Sequence, residues 1–427
     1  MPMKKSKNTM KKMVMGMMAL ATGGAFMLGG GALCECENCQ CCQDPVGGYV
    51  TTYEPQTSTA KEQSDRAQAS LPFELTSKAA FLLEANSGRV LYQKDADKQL
   101  PIASMVKITT LAVIYDALAN NEITIDQMVS VSPNASGMGG SQAFLDFNAE
   151  YSVDDLIKSI IIASANDSCV AMAELIAGSE SEFVNRMNAL AAKLGMTGTN
   201  YANCTGLPAP GSYSTAADVA KIYAYMMKSE FYGRHELVWM YDLTHPSGRV
   251  TGLTNTNRHA RFYANCTGGK TGFTSESGHC ITVTATRGQL KPIAVIIGAP
   301  DSKTRFYESG NLMSHVFDSY KNELVLSRET PLATVRVKHA FIDEIQLFAA
   351  SNFYDLVKKG DKETPTVELQ INENIRAPFT GTTALGKALV TRQGRVIAEI
   401  DLVSNQDINK ITYYESLKKI ARNFKVA

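Results

Sequence analysis

The feature that most constrains this chain is where it places its strands. Ala79-Ala80-Phe81-Leu82-Leu83-Glu84, a turn at Asn86-Ser87-Gly88, and Arg89-Val90-Leu91-Tyr92-Gln93 read as a hairpin. The next runs of that character are Cys280 to Thr286 and Pro292 to Gly298, joined by Arg287-Gly288 and read as adjacent antiparallel strands. The chain between is helical in pattern. After a boundary at Pro101, Ala103 to Leu118 carries Met105, Ile108, Leu111, Ala112 and Tyr115 at the spacing of a buried helix. Further helices are expected over Val153 to Ala163, Asp167 to Ile176 and on to Leu194. This arrangement predicts one sheet assembled from both ends of the segment with a helical layer between, an α/β (α+β) fold.

Several chemistries are excluded at once. Lys+Arg 42 against Asp+Glu 42 gives no net charge, so the electrostatic footprint of a nucleic-acid binder is missing. No G-x-S-x-G elbow surrounds any serine. His235-Glu236-Leu237-Val238-Trp239 fails as a zinc motif at Trp239, and the six histidines form no cluster, so neither metal nor cofactor is implied for the reaction.

A different set is present, in order: Ser104-Met105-Val106-Lys107, Ser164-Ala165-Asn166 and Lys270-Thr271-Gly272. Each triplet alone is weak. S-x-x-K recurs at Ser58 and Ser416, and S-x-N at Ser6, Ser132 and Ser309, whereas K-T-G occurs once. Ser104 is singled out because it opens an apolar helix, where backbone N–H groups favour developing negative charge. Positions i and i+3 share a helical face, so Lys107 can reach the Ser104 hydroxyl. Buried among apolar neighbours, its neutral form could accept the serine proton. Ser164 would relay a proton to the leaving amine and Asn166 would hold a substrate carbonyl. Lys270 and Thr271 would bind a substrate carboxylate from an edge strand continuing through Gly272, Phe273 and Thr274. The backbone N–H groups of Ser104 and Phe273 would form the oxyanion hole. The reaction class is acyl transfer through a serine ester.

The order of these motifs is that of penicillin-binding proteins and serine β-lactamases. The flanks resemble the low-molecular-mass D-alanyl-D-alanine carboxypeptidases of bacterial cell walls. The stretches that carry this are Ser87 to Tyr92, Pro101 to Lys107, Ser164 to Ala171, Asn203-Cys204-Thr205-Gly206-Leu207 with Tyr213-Ser214-Thr215-Ala216, and Lys270 to Thr274. The resemblance covers about residues 71 to 325. It implies a transpeptidase-like catalytic domain that removes the terminal D-Ala from a peptidoglycan stem peptide ending in D-Ala-D-Ala and is acylated by β-lactam antibiotics. It also implies an arginine near the site, which would be Arg305. A D,D-endopeptidase acting on cross-linked peptidoglycan is the alternative, and a catalytically silent wall-binding module is a rival from another class. A class A β-lactamase is disfavoured, because none of Glu174, Glu180, Glu182, Glu230 or Glu236 has Asn four residues on.

The ends extend this plan. Lys4, Lys5, Lys7, Lys11 and Lys12 precede an uncharged stretch from Met13 to Leu33, which reads as an export signal cleaved after Ala32, with an uncleaved anchor as the rival. The chain is therefore expected at the extracytoplasmic face of the membrane or in the wall. Cys34, Cys36, Cys39, Cys41 and Cys42 follow, read as an exposed tail with a thiolate-bound metal or disulfides as the alternatives, and then a polar tether to about residue 70. Cys169 reads as a small buried thiol, and Cys204 and Cys266, each inside a copy of Tyr-Ala-Asn-Cys-Thr-Gly, could pair in an exported protein.

Past the catalytic domain, expected over residues 71–327, alternating segments at Val335 to Val337, Ile345 to Phe348, Val367 to Ile371, Ala388 to Thr391 and Val396 to Ile400 predict a small all-β domain over residues 328–410. Residues 411–427 form an amphipathic helix with Tyr414, Leu417, Ile420, Ala421 and Phe424 on one face and Lys418, Lys419, Arg422 and Lys425 beside it. Such a helix suits a membrane surface, or docking on its own domain.

Overall fold

The structure is a computed structural model that describes residues 71–424, with side chains to Ile420; the export signal, the cysteine cluster and the tether lie outside the described residues. The early hairpin is β1 (Ala79–Glu84) and β2 (Val90–Lys94), and the late strands are β3 (Cys266–Thr274), β4 (Gly278–Ala285) and β5 (Pro292–Ala299). They form one antiparallel sheet in the order β2-β1-β5-β4-β3. The two ends of the segment meet where β1 pairs β5, with Phe81 opposite Val295 and Leu82 opposite Ala294.

Both faces of the central strands are covered. Phe81, Ile293, Val295 and Ile297 point into the helical layer. Leu82, Ala294 and Ile296 point to the other face, where α6 (Ser302–Ser319) packs Leu312, Met313, Val316 and Phe317. That is why β5 reads as a continuous apolar run although the sheet is antiparallel.

The helical layer consists of α1 (Lys107–Ala119), α2 (Val153–Ile162), α3 (Asn166–Ala177), α4 (Glu180–Lys193) and α5 (Ala216–Met226). Their starts follow from side-chain caps: Ser152, Ser179 and Thr215 each accept a backbone N–H three residues on. Helix α1 is apolar nearly all round and is enclosed by the others, with Ile108, Leu111 and Ile114 buried. At roughly 2 kcal/mol for each such side chain, this packing makes α1 a rigid mount for the lysine at its first position.

Beyond α6, β6 (Tyr320–Leu326) leads out of the catalytic sheet and pairs with β9 (Phe353–Lys358). Strands β7 (Ala333–Arg336), β8 (Glu344–Ala349), β10 (Thr366–Ile371), β11 (Gly386–Arg392) and β12 (Arg395–Val403) form a second sheet, ordered β7-β8-β12-β11-β10, over its own apolar cluster. The five expected strands are all present. Helix α7 (Tyr413–Phe424) closes the described chain. Among the described residues no helix is long and apolar enough to cross a membrane.

Candidate active site

The nucleophile candidate differs locally from the sequence expectation. Ser104 sits in a single 3-10 turn, Ala103–Val106, and the α-helix begins only at Lys107. A 3-10 turn eclipses positions i and i+3 more closely than an α-helix does. Lys107 Nζ accordingly lies 3.1 Å from Ser104 Oγ.

The backbone that carries Ser104 is held tightly. Ala103 has φ +49, a left-handed conformation that costs an alanine roughly 1–2 kcal/mol. Two glycines close on its peptide bond: a Cβ on Gly206 would lie 2.1 Å from the Ala103 carbonyl oxygen, and one on Gly272 would lie 2.8 Å from the Ile102 carbonyl oxygen and 3.1 Å from Ser104 N. The glycine of K-T-G is therefore required by close approach. Its strand must lie against the nucleophile's backbone, and any side chain would push it off.

The second motif comes from the connection between α2 and α3. Ser164 has φ +61 and Asn166 begins α3. Asn166 Oδ1 accepts from Lys107 Nζ at 2.7 Å while its Nδ2 donates to the Gly139 carbonyl at 2.6 Å. One amide hydrogen of Asn166 remains for a substrate carbonyl. The third partner of Lys107 is the Thr205 carbonyl.

Across the cleft, β3 is the edge strand of the sheet. Its Lys270 is buried and donates to Ser164 Oγ at 2.8 Å and to the Thr271 carbonyl at 3.2 Å. Thr271 Oγ1 donates to Thr256 Oγ1 at 2.8 Å. Phe273 is exposed and stacks on His279, with ring centroids 4.3 Å apart. Thr274 bonds to Ser277 in the turn that follows.

Arg305, on α6, stands apart from the serine and lysine cluster. Its guanidinium donates to the carbonyls of Gly272 (3.0 Å) and Cys280 (3.3 Å), bracing the edge strand at the clamping glycine, and its Nε is buried without a partner.

Charge is unbalanced here. Neither Lys107 nor Lys270 has an acid within ion-pair distance among the described residues. Burial pushes the Lys107 ammonium below its ordinary range. Burial lowers Lys270 well below its own, and the neighbouring Lys107 charge adds to the effect.

Three contributors were not assigned from sequence. Asp167, buried, accepts the backbone N–H groups of Ala143 (3.0 Å) and Leu145 (3.1 Å), and Asn166 N donates to the Ser141 carbonyl at 2.7 Å. Together they bring the 138–146 loop over the site, including the Gly139 carbonyl. Gly206 and the Thr205 carbonyl come from a loop that, at Thr205, is 98 residues beyond Lys107; the available signal was the Asn203 to Leu207 stretch.

Among the described residues the cysteines form no disulfide and face no reacting group. Cys169, Cys204, Cys266 and Cys280 are free and buried, so the pairing left open for Cys204 and Cys266 is not formed: one lies in the helical core and the other on the opposite face of the sheet. Burial pushes the Cys169 thiol up to about 12, so it stays protonated.

Known proteins resemble this one along most of its length. Residues 63–301 match the family described as D-alanyl-D-alanine carboxypeptidase, and residues 320–410 match the penicillin-binding protein 5 C-terminal domain. A D-alanyl-D-alanine carboxypeptidase of Bacillus subtilis is 35% identical over 375 residues, covering 88% of this chain and 95% of the relative. One from Escherichia coli is 31% identical over 358 residues, 82% of this chain and 84% of the relative. The crystal structure of penicillin binding protein 5 from Haemophilus influenzae superposes with a TM-score of 0.67 at 28% identity, over 80% of this chain and 100% of that one.

Proposed function

The chain belongs to the D-alanyl-D-alanine carboxypeptidase family, and from that premise we propose that it removes the terminal D-Ala of peptidoglycan pentapeptides through an ester on Ser104. The observation that carries the roles is the set of partners around Lys107. A neutral amine has two N–H bonds and one lone pair. The surroundings of Lys107 match that count: Asn166 Oδ1 and the Thr205 carbonyl take the two N–H bonds, and the lone pair is left for the Ser104 hydroxyl.

Ser104 Oγ attacks the carbonyl between the two D-Ala residues as its proton passes to Lys107. The oxyanion is met by the backbone N–H groups of Ser104 and Phe273. The C–N bond breaks as Ser164 hands a proton to the leaving amine, itself resupplied from the lysines. Water then attacks the ester, giving its proton to Lys107, and free Ser104 is restored.

Lys270 holds the terminal carboxylate. An ammonium has three N–H bonds, and with Ser164 Oγ and the Thr271 carbonyl taking two, one remains for the substrate. The arriving anion keeps the shared proton on Lys270 and leaves Lys107 neutral. Penicillins present a carboxylate and a strained amide in the same relation, so they acylate Ser104 as well.

The enzyme works outside the cytoplasm, with α7 resting on the membrane surface. Tyr413, Tyr414, Leu417 and Ile420 are exposed, whereas Lys419 ties the helix to its own domain through Asp343 and the Ala340 carbonyl. A fluorescent penicillin is expected to label the wild type covalently and to leave Ser104→Ala unlabelled. A labelled Ser104→Ala would overturn the assignment. Deleting residues 412–427 is expected to release active enzyme from anionic vesicles; retention would refute attachment by α7.

A further inference from the structure

Between the loop over Asn166 and the edge strand β3 runs a hairpin whose residues take no part in the chemistry. Its strands, Met240–Thr244 and Val250–Thr254, pair antiparallel. At the open end the chain continues to Thr256, whose N–H donates to the Ile162 carbonyl after α2 (3.0 Å) and whose hydroxyl accepts from Thr271 of the edge strand. At the closed end, residues 245–249 grip the 138–146 loop.

That loop needs a grip. It carries the Gly139 carbonyl that orients the Asn166 amide, yet Phe144 within it sits at φ +60 with its ring exposed, a strained conformation for a bulky residue. The turn supplies the holds: Arg249 Nη2 donates to the Phe144 carbonyl and to Asp146 Oδ1 (2.7 Å), and Ser247 Oγ donates to Asp146 Oδ2 (2.6 Å). The Tyr151 hydroxyl accepts the Asp146 N–H at 3.0 Å.

At the centre is His245, whose side chain has no exposed surface. Its Nδ1 lies 2.6 Å from the Tyr151 hydroxyl and 3.1 Å from Arg249 Nη2. A guanidinium can only donate, so Nδ1 presents its lone pair, and the ring proton sits on Nε2, which donates to Thr251 Oγ1 at 2.7 Å. Only a neutral imidazole satisfies this set, because a proton on Nδ1 would face the Arg249 guanidinium. The acids nearby are engaged: Asp146, 3.9 Å away, is held by Arg249 and Ser247, and Asp167 by the loop's own amides. Burial, with the Arg249 charge, lowers the His245 pKa below the ordinary imidazole value against the pull of those two acids.

We propose that the 245–249 turn is a latch on the 138–146 loop and that neutral His245 is a positioning residue for the reaction. Through the loop it keeps Asn166 aligned on Lys107 and on the substrate, and taking up a proton lets the loop go. The inference rests on the carboxypeptidase reading and adds what holds that wall of the cleft in place.

The test measures kcat for release of D-Ala from a D-Ala-D-Ala peptide, against pH, in the wild type and in His245→Gln. Glutamine can accept from Tyr151 and donate to Thr251 but does not titrate. The ratio of wild type to variant cancels the protonation of Lys107 and Lys270, which both proteins share. It is expected to hold steady above about pH 6.5 and to fall roughly threefold to tenfold below it, the cost of a loosened active-site group. A ratio that stays level into acid overturns the proposal. Amide exchange over residues 138–146, compared at the same pH, should be faster in the wild type than in His245→Gln in acid and equal near neutrality; equal exchange at both also overturns it. Arg249→Met, at a partly exposed position, tests the latch even where His245→Gln fails to fold, and should slow kcat roughly threefold to tenfold near neutral pH. An unchanged kcat in Arg249→Met refutes the latch. If the wild type releases no D-Ala at any pH, the carboxypeptidase reading itself fails and this inference falls with it.

Discussion

Two of the sites that enclose cations treat them oppositely. In the C-terminal domain, the Arg392 side chain is 13% exposed and surrounded by acids: Asp355, Asp361 at 2.7 Å, and Glu363. In the catalytic cleft, Lys107 and Lys270 are buried more deeply still and meet only neutral oxygens. A buried charge normally needs a counterion or it loses its proton. Arg392 cannot give up its proton and is given partners. The two lysines can, and the cleft leaves them poised to do so. A compensated cation ties strands together, while an uncompensated one is available for proton transfer and for an incoming anion.

The contrast can be broken most decisively at Lys107. Lys107→Ala should slow acylation by a β-lactam by roughly a thousandfold while the protein stays folded. In the wild type, burial lowers the Lys107 pKa, so the neutral, working form extends to lower pH than in a free lysine. The acylation rate should therefore fall as pH drops and Lys107 takes up a proton. Full activity in Lys107→Ala would place the base elsewhere.

Lys270→Gln comes next, with an expected loss of about a hundredfold in kcat/KM for D-Ala-D-Ala peptides, in keeping with one charge-assisted contact to the substrate. A substrate amidated at its C-terminus should lose much less. Equal losses for both would show that Lys270 acts on Ser164 rather than on the carboxylate.

The smallest effect sharpens the comparison from the other side. Arg392→Met strands Asp355, which is 6% exposed in its side chain, and should lower stability by about 2–3 kcal/mol in denaturant melts. The kcat/KM of the remaining folded enzyme should not change. A variant of Arg392 that stays folded but turns over poorly would mean that the two domains share more than a chain.

Much of this was legible in sequence because it depended on short-range pattern. Short apolar runs bounded by turns placed the sheet, and the three triplets named the side chains that the fold assembles around Ser104. What was not legible came from long-range closure. Nothing local to Ala103 announces a left-handed φ, since that conformation is imposed by Gly206 and Gly272 pressing from distant segments. The β6–β9 ribbon escaped notice because its strands are separated by β7 and β8, which pair elsewhere. The Asp167 carboxylate was given no role of its own, because the backbone N–H groups it accepts lie more than 20 residues earlier in the chain. The boundary between 3-10 turn and α-helix at Lys107 is likewise set by what packs on the turn.

The glycine clamp has a consequence for how such an enzyme could escape an inhibitor under selection. The floor beneath Ser104 has no spare volume: a single added carbon at position 206 or 272 collides with main-chain atoms, which cannot swing aside as a side chain would. Substitutions there would cost the natural reaction as much as they cost the drug. Heritable change in what the enzyme accepts is thereby driven outward to the rim, to exposed residues such as Phe273 and Glu276, where side chains end in solvent and can be exchanged without moving the floor.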